Sequence, residues 1–192
     1  MTVTTATTAR ILTQPATEPV SLADAKAHLA VTHSADDALI GSLIKSARRH
    51  VEHVTGLRLI AQTWEAVFDR FPDGPLQLAG WPLQSVTSVE YLDENEAAQT
   101  LVSSAYVVDE YRRPGWISPV DSWPATQDTY NAVTVTFVVG YGDAEDVPDD
   151  IVAAIKLIVG GLYANRESLS DKPILDNPAV DALLFPYREI GV

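Results

Sequence analysis

The chain has 192 residues, 46% of them apolar and 20% charged, the composition of a soluble globular domain or of one domain carrying an insertion. A net charge of −13 argues against a broad phosphate-binding surface, and the lack of cysteine excludes disulfides, thiol nucleophiles and thiolate metal sites. The Thr/Ala-rich start has no apolar leader core, and no apolar run approaches the ~20 residues a bilayer requires, so neither a secretory signal nor a membrane span is expected.

Residues 1–19 are rich in Thr, Ala and Pro, with little apolar content beyond Ile11-Leu12, and read as a flexible N-terminal arm. Residues 20–56 read as helical. Ser21 with Asp24 three residues on resembles a capping box for a helix to about Leu29. Ser34 with Asp37 repeats the device. Ile40, Leu43, Ile44, Ala47, Val51 and Val54 then follow at helical spacing up to Gly56. Lys45, Arg48, Arg49, Glu52 and His53 are assigned to the polar face of that second helix.

Residues 57–142 read as a β-rich insertion. Thr63–Asp69 alternates around Trp64, Ala66 and Phe68. Pro72-Asp73-Gly74 is a turn before 75–78, and 85–92 is a strand leading through a polar turn to 99–101. Two short strands, 106–109 and 116–118, bracket Arg112-Arg113-Pro114-Gly115. Trp81, Trp116 and Trp123 each adjoin Pro or Gly, as aromatics covering sheet ends do. Val133, Val135, Phe137 and Val139 alternate with Thr134 and Thr136, the pattern of a half-buried strand ending at Gly140-Tyr141-Gly142.

The period changes again after Pro148. Ile151, Val152, Ile155, Ile158, Val159 and Leu162 form one helical stripe to about Arg166. The expected fold class is therefore α+β: a helical bundle from 20–56 and 147–166 with the β-rich insertion between, together a connector domain over 20–166. Residues 167–192 form a linker and C-terminal docking tail.

Candidate chemistry is sparse. His50 and His53 lie three apart on a helix, but no third ligand is near in sequence, and a basic face near a helix C-terminus accounts for them. Asp143, Glu145, Asp146, Asp149 and Asp150 lack the spacing of a calcium loop and suit a helix N-terminus. Gly140, Gly142, Gly160 and Gly161 form no phosphate loop; Gly160-Gly161, inside a helical pattern, marks close approach of another backbone, in the core or across a subunit contact. No nucleophile elbow or triad context occurs. No catalytic, cofactor or metal site is assigned, and no enzyme activity is expected. The candidate interaction residues are Leu183, Leu184, Phe185, Tyr187 and Arg188. They form an apolar cluster after a Pro-containing linker, expected to dock on a partner and to be removable after Asn177 without loss of the fold; a tail folded back on its own core is the alternative.

Charge is uneven. Up to Gly56 five acids balance five bases, so the remaining 21 acids and 8 bases carry the whole net charge. This is a solubility device, or a surface that must not bind DNA passing nearby.

Several short stretches, in order, resemble the head–tail connector (adaptor) proteins of long-tailed phages and phage-derived gene transfer agents. They are Pro19–Lys26 with Leu29, Asp37–Ile40 with Ile44, Val51–Gly56, Gln62–Trp64, Pro82–Val86, Ser122–Pro124, Gly140–Gly142, Val147-Pro148, Tyr163 with Asn165–Glu167, and Leu183–Arg188. The resemblance implies a structural virion protein of the particle neck, assembled in the host cytoplasm. It implies a ring, typically twelvefold, beneath the portal protein, extending the DNA channel without specific DNA binding and offering a platform to stopper or tail proteins. The helices would form the ring core. It carries no catalytic motif. A different neck component, a stopper or tail-completion protein, or a small-molecule binding module are the alternatives.

Overall fold

The computed structural model describes residues 4–6, 8–165 and 177–188. The chain is α+β and divides into two units, Met1–Ala16 with Ala61–Tyr141, and Thr17–Ile60 with Gly142–Val192.

The first unit is built of strands β1 (Thr4–Thr5), β2 (Thr8–Thr13), β3 (Gln62–Phe68), β4 (Leu76–Gln77), β5 (Leu83–Leu92), β6 (Ala98–Thr100), β7 (Tyr106–Asp109), β8 (Trp116–Pro119) and β9 (Val133–Val139). They form a five-stranded sheet, β2-β3-β9-β5-β6, antiparallel throughout, and a four-stranded sheet, β1-β4-β8-β7, in which only β1 and β4 run parallel. β3 and β9 alternate strictly between buried and half-buried positions, in a register that sets Trp64 opposite Phe137 and Phe68 opposite Val133. Their inward residues join Leu76, Leu78, Leu83, Val89 and Ile117 in one apolar core. Gly115 is required there. A Cβ at this position would sit 2.5 Å from Leu83 Cδ2, well inside contact distance. The tryptophans close the rim: Trp123 stacks on Phe71 at 4.6 Å and donates to the Gly74 carbonyl (2.8 Å), and Trp116 lies under Arg112.

The expected mobile arm is corrected here over part of its length. Thr8–Thr13 pairs with β3 as an edge strand, with Arg10 bonded to Glu65 at 2.7 Å. All six of its residues are exposed, so the strand needs only backbone hydrogen bonds and β-branched threonines, and has no apolar alternation to read.

The second unit holds α1 (Leu22–Leu29), α2 (Asp37–Thr55), α3 (Asp149–Ala164) and α4 (Pro178–Leu184). α1 packs on α2 and α3, α2 on α3, and α3 on α4. Ser21 caps α1 by accepting from the Asp24 amide (3.1 Å). The second expected cap is displaced. α2 begins after Asp36 without a side-chain cap; the Asp36 carboxylate accepts from Tyr163 instead, and Asp37 pairs with Lys26 of α1 at 2.6 Å. Gly56 ends α2 in the left-handed conformation (φ 73°) that glycine adopts without strain. Ile40, Ile44, Ala47 and Val51 of α2 and Ile151, Ala154, Ile155, Ile158 and Val159 of α3 are buried. Tyr163 of α3 hydrogen-bonds Asp36. Among the described residues no helix is long and apolar enough to cross a membrane.

Arg48 and Glu52 depart furthest from expectation. The sequence puts both on a solvated face, yet they are only 6% and 8% exposed. Arg48 Nε donates to Glu18 (2.7 Å) and its Nη1 to Glu52 (2.9 Å), while the other Glu52 oxygen accepts from the Leu59 amide (3.1 Å). Burial alone would lower the Arg48 pKa, but its bond to Glu18 and the charge of Glu52 outweigh this and raise it. The cluster fastens the segments before α1 and after α2 to the middle of α2.

Gly160 faces α1. A Cβ there would meet His28 Nε2 at 3.6 Å and Leu29 Cδ2 at 4.0 Å, ordinary contacts. The close approach inferred for this glycine is thus within the unit, and it leaves room for a methyl group. Gly160→Ala should raise stability by about 0.5–1 kcal/mol through helix propensity. Denaturant unfolding checks this, and a loss would mean that α1 is displaced.

Candidate partner interface

The C-terminal segment is α4 followed by a 3₁₀ turn, Phe185–Tyr187. Asn177 caps the helix by accepting from the Ala179 amide (2.9 Å), and Pro178 takes the first-turn position, where it lacks nothing the helix needs. The linker expected before it lies outside the described residues from 167 to 176.

The five tail residues separate by environment. Leu184 is 0% exposed and, with Val180 at 3%, belongs to the interior of its own unit. It is therefore an internal anchor, a correction to the expectation that the whole cluster is presented to a partner. Truncation after Asn177 would consequently strip apolar cover from α3. Leu183, Tyr187 and Arg188 are half-buried, while Phe185 is 63% exposed. Tyr187 bonds Asp150 in the first turn of α3, and its pKa is raised by partial burial and then by that carboxylate. Arg188 pairs with Asp181 at 2.5 Å, and its Nε is buried without a hydrogen-bond partner among the described residues. The segment is thus held by two apolar anchors and one polar tie, Tyr187 to Asp150, while Arg188–Asp181 closes within it and the Phe185 ring projects.

His50 and His53 do not share one environment. His53 is exposed, whereas His50 is half-buried and within electrostatic reach of Asp181 and Arg188. Burial, then His53 and Arg188, lower the His50 pKa against the opposing pull of Asp181. Sequence spacing gave no sign of this, because the neighbours come from a segment more than 120 positions away.

The acidic loop has local uses. Asp143 and Asp146 form a reciprocal capping box around the 3₁₀ turn Ala144–Asp146, and Asp149 and Asp150 occupy the first turn of α3. Among the described residues no group of three or more His, Asp or Glu side chains is arranged to hold a metal ion. Two open clefts, of about 430 and 390 Å³, lie on the loops around Arg70 in the β-rich unit. Neither is lined by a histidine, so neither offers a hydroxyl–imidazole pair.

Residues 19–107 match the family model described as phage gp6-like head-tail connector protein. The fold is similar to that of a chain in the neck of an empty gene transfer agent particle computed with C6 symmetry, at 19% identity, TM-score 0.81, and 96% of this chain against 97% of that one. Chains from the virion of the native gene transfer agent particle (TM-score 0.80, covering 96% of each chain) and from the native neck computed with C12 symmetry (TM-score 0.79, 96% and 97%) are similar at the same 19% identity. No curated protein sequence matches the chain. The likeness to the connector family is thus one of sequence over residues 19–107, and the likeness to the neck chains one of fold over 96% of the chain.

Proposed function

We propose that this chain is a structural virion protein, a head–tail connector subunit in the neck of a phage or gene transfer agent particle. The observation that carries this reading is the agreement of two independent likenesses, the connector family over residues 19–107 and a neck-protein fold over 96% of the chain. On this reading copies assemble as a ring under a portal protein, twelvefold as in the C12 neck. The helices of the second unit act as a bundle forming the ring core. The ring joins the head to stopper or tail proteins.

The net charge of −13 supports a channel through which DNA passes without specific binding, since phosphates are repelled by such a surface. The role requires no catalysis, cofactor or metal. Phe185, with Leu183, Tyr187 and Arg188 around it, is the contact to the portal or to a neighbouring subunit, and Leu184 fixes their position from within. Head-to-tail contacts close only at the right rotation, which a portal template supplies.

Electron microscopy of the protein mixed with its cognate portal tests this. Closed rings stacked coaxially on portal rings are expected. Portal rings that remain bare at saturating protein would overturn the reading.

A further inference from the structure

The β-rich unit has two open strand edges with aliphatic side chains in water, and they lie on opposite flanks. β2 ends the five-stranded order and β7 ends the four-stranded one. Two residues separate β1 from β2 and five separate β6 from β7, so β1 and β2 share one flank while β6 and β7 share the other. Beside β7, Val102, Val107 and Val120 are 64%, 59% and 56% exposed. Two of them meet at Ala105, whose amide donates to the Val102 carbonyl (2.9 Å) and whose carbonyl accepts from the Val120 amide (3.0 Å). The β7–β8 register sets Val107 opposite Ser118, on the face that Val120 continues two residues on. On the far flank, Ile11 and Leu12 of β2 are 40% and 47% exposed. We propose that the valine patch beside β7 seats against β2 of the next copy, so that the β-rich units run head-to-tail around the ring. This rests on the ring reading of the chain given above.

Charge selects a second copy as the occupant. Copies that each carry −13 repel one another, and least so where acids are sparse. Both flanks meet that condition in a chain that is 20% charged. No charged residue occurs from 97 to 108 or from 116 to 120, and Arg10 is the one charged residue in 1–17. The rims are complementary as well. Exposed Asp121 borders the valine patch, while the Arg10 side chain on β2 is 67% exposed beyond its bond to Glu65. An open edge with exposed aliphatics is a template for another chain. Because the two surfaces differ and lie on opposite flanks, the contact is heterologous, the kind that generates a ring when its rotation closes. Pairing of β7 with β7 would join two copies and stop there.

The chain has no native thiol, so Leu12→Cys and Val107→Cys each introduce one at an exposed position. The two variants are mixed, both on cognate portal rings and as the free protein at high concentration, and treated with a short bis-maleimide. The dominant product should be a dimer linking one variant to the other, and the chain carrying both substitutions should give a ladder of higher multimers. Dimers formed equally well by either variant alone, or no linked species under either condition, would overturn the proposal. Linked dimers of the free protein beside bare portal rings would uphold the flank contact and count against the connector role alone. Val107→Asp checks the same contact without a cross-linker. It should raise the concentration needed for ring formation about tenfold or more, and unchanged rings would refute the contact. Far-UV circular dichroism verifies the fold of each variant, and Val120→Cys replaces V107C if the latter fails to fold.

Discussion

Arg48→Ala should destabilise the helical unit by about 3–5 kcal/mol, the cost of removing one partner from a buried ion cluster. The Arg48 side chain is 7% exposed, and those of Glu52 and Glu18 are 10% and 22% exposed, so the carboxylates left behind are poorly hydrated, Glu52 most of all. The loss belongs to the abandoned charges rather than to the ion pair as such. Arg48→Met combined with Glu52→Gln should therefore recover most of it. The methionine fills the guanidinium's volume, and the side-chain carbonyl of the introduced glutamine still accepts from the Leu59 amide. Glu18 is exposed enough to find water. Glu52→Leu in place of Glu52→Gln should do worse, because it orphans that buried amide at about 1–3 kcal/mol. Guanidinium unfolding followed by far-UV circular dichroism measures all of these. An Arg48→Ala loss below ~1 kcal/mol would show that the cluster behaves as a surface pair.

The same cluster marks where sequence reasoning stops. Alternation in Val133–Val139 and the stripe from Ile151 to Val159 were legible because one-sided burial forces a period on the residues, and both elements appear where the pattern put them. Arg48 and Glu52 share the helical spacing of Lys45 and Arg49, so pattern alone made them solvated. Their partners, Glu18 and the Leu59 amide, come from other segments and leave no mark on the period. The pairing Arg48–Glu52 at i, i+4 was visible, but the same spacing is common on exposed helices. β2 escaped notice for the opposite reason. An edge strand with every side chain in solvent has nothing for a hydrophobic pattern to record. The α2 cap falls at Asp36 rather than Ser34, and the carboxylates of Asp36 and Asp37 are both drawn into tertiary contacts, to Tyr163 and Lys26, that leave no mark on the local pattern. In the tail, composition correctly singled out an apolar cluster but could not tell its anchor from its exposed ring, since that division depends on which residues meet α3.

That division sets the second large effect. Leu184→Ala and Phe185→Ala, adjacent in sequence and similar in apolar content, should differ sharply in their effect on stability. Leu184 is fully buried, so truncating it removes about 2–5 kcal/mol of packing. Seven residues of α4 cannot sustain a helix alone, so the loss should appear as undocking of 178–184, with exchange protection there abolished. Phe185 is 63% exposed, and its replacement should change stability by no more than ~0.5 kcal/mol. If Phe185 is the aromatic anchor proposed for the portal or neighbour contact, its loss should weaken attachment by ~2 kcal/mol or more. That is about thirtyfold in Kd, read by titrating the protein onto immobilised portal rings. Leu184→Ala should weaken attachment as well, because an undocked segment must be ordered again on binding. Phe185→Ala is therefore the discriminating variant. Full protection of 178–184 with lost attachment would assign the contact to the projecting ring, whereas unchanged attachment would remove the tail from the interface and leave α4 a purely internal element of the helical unit.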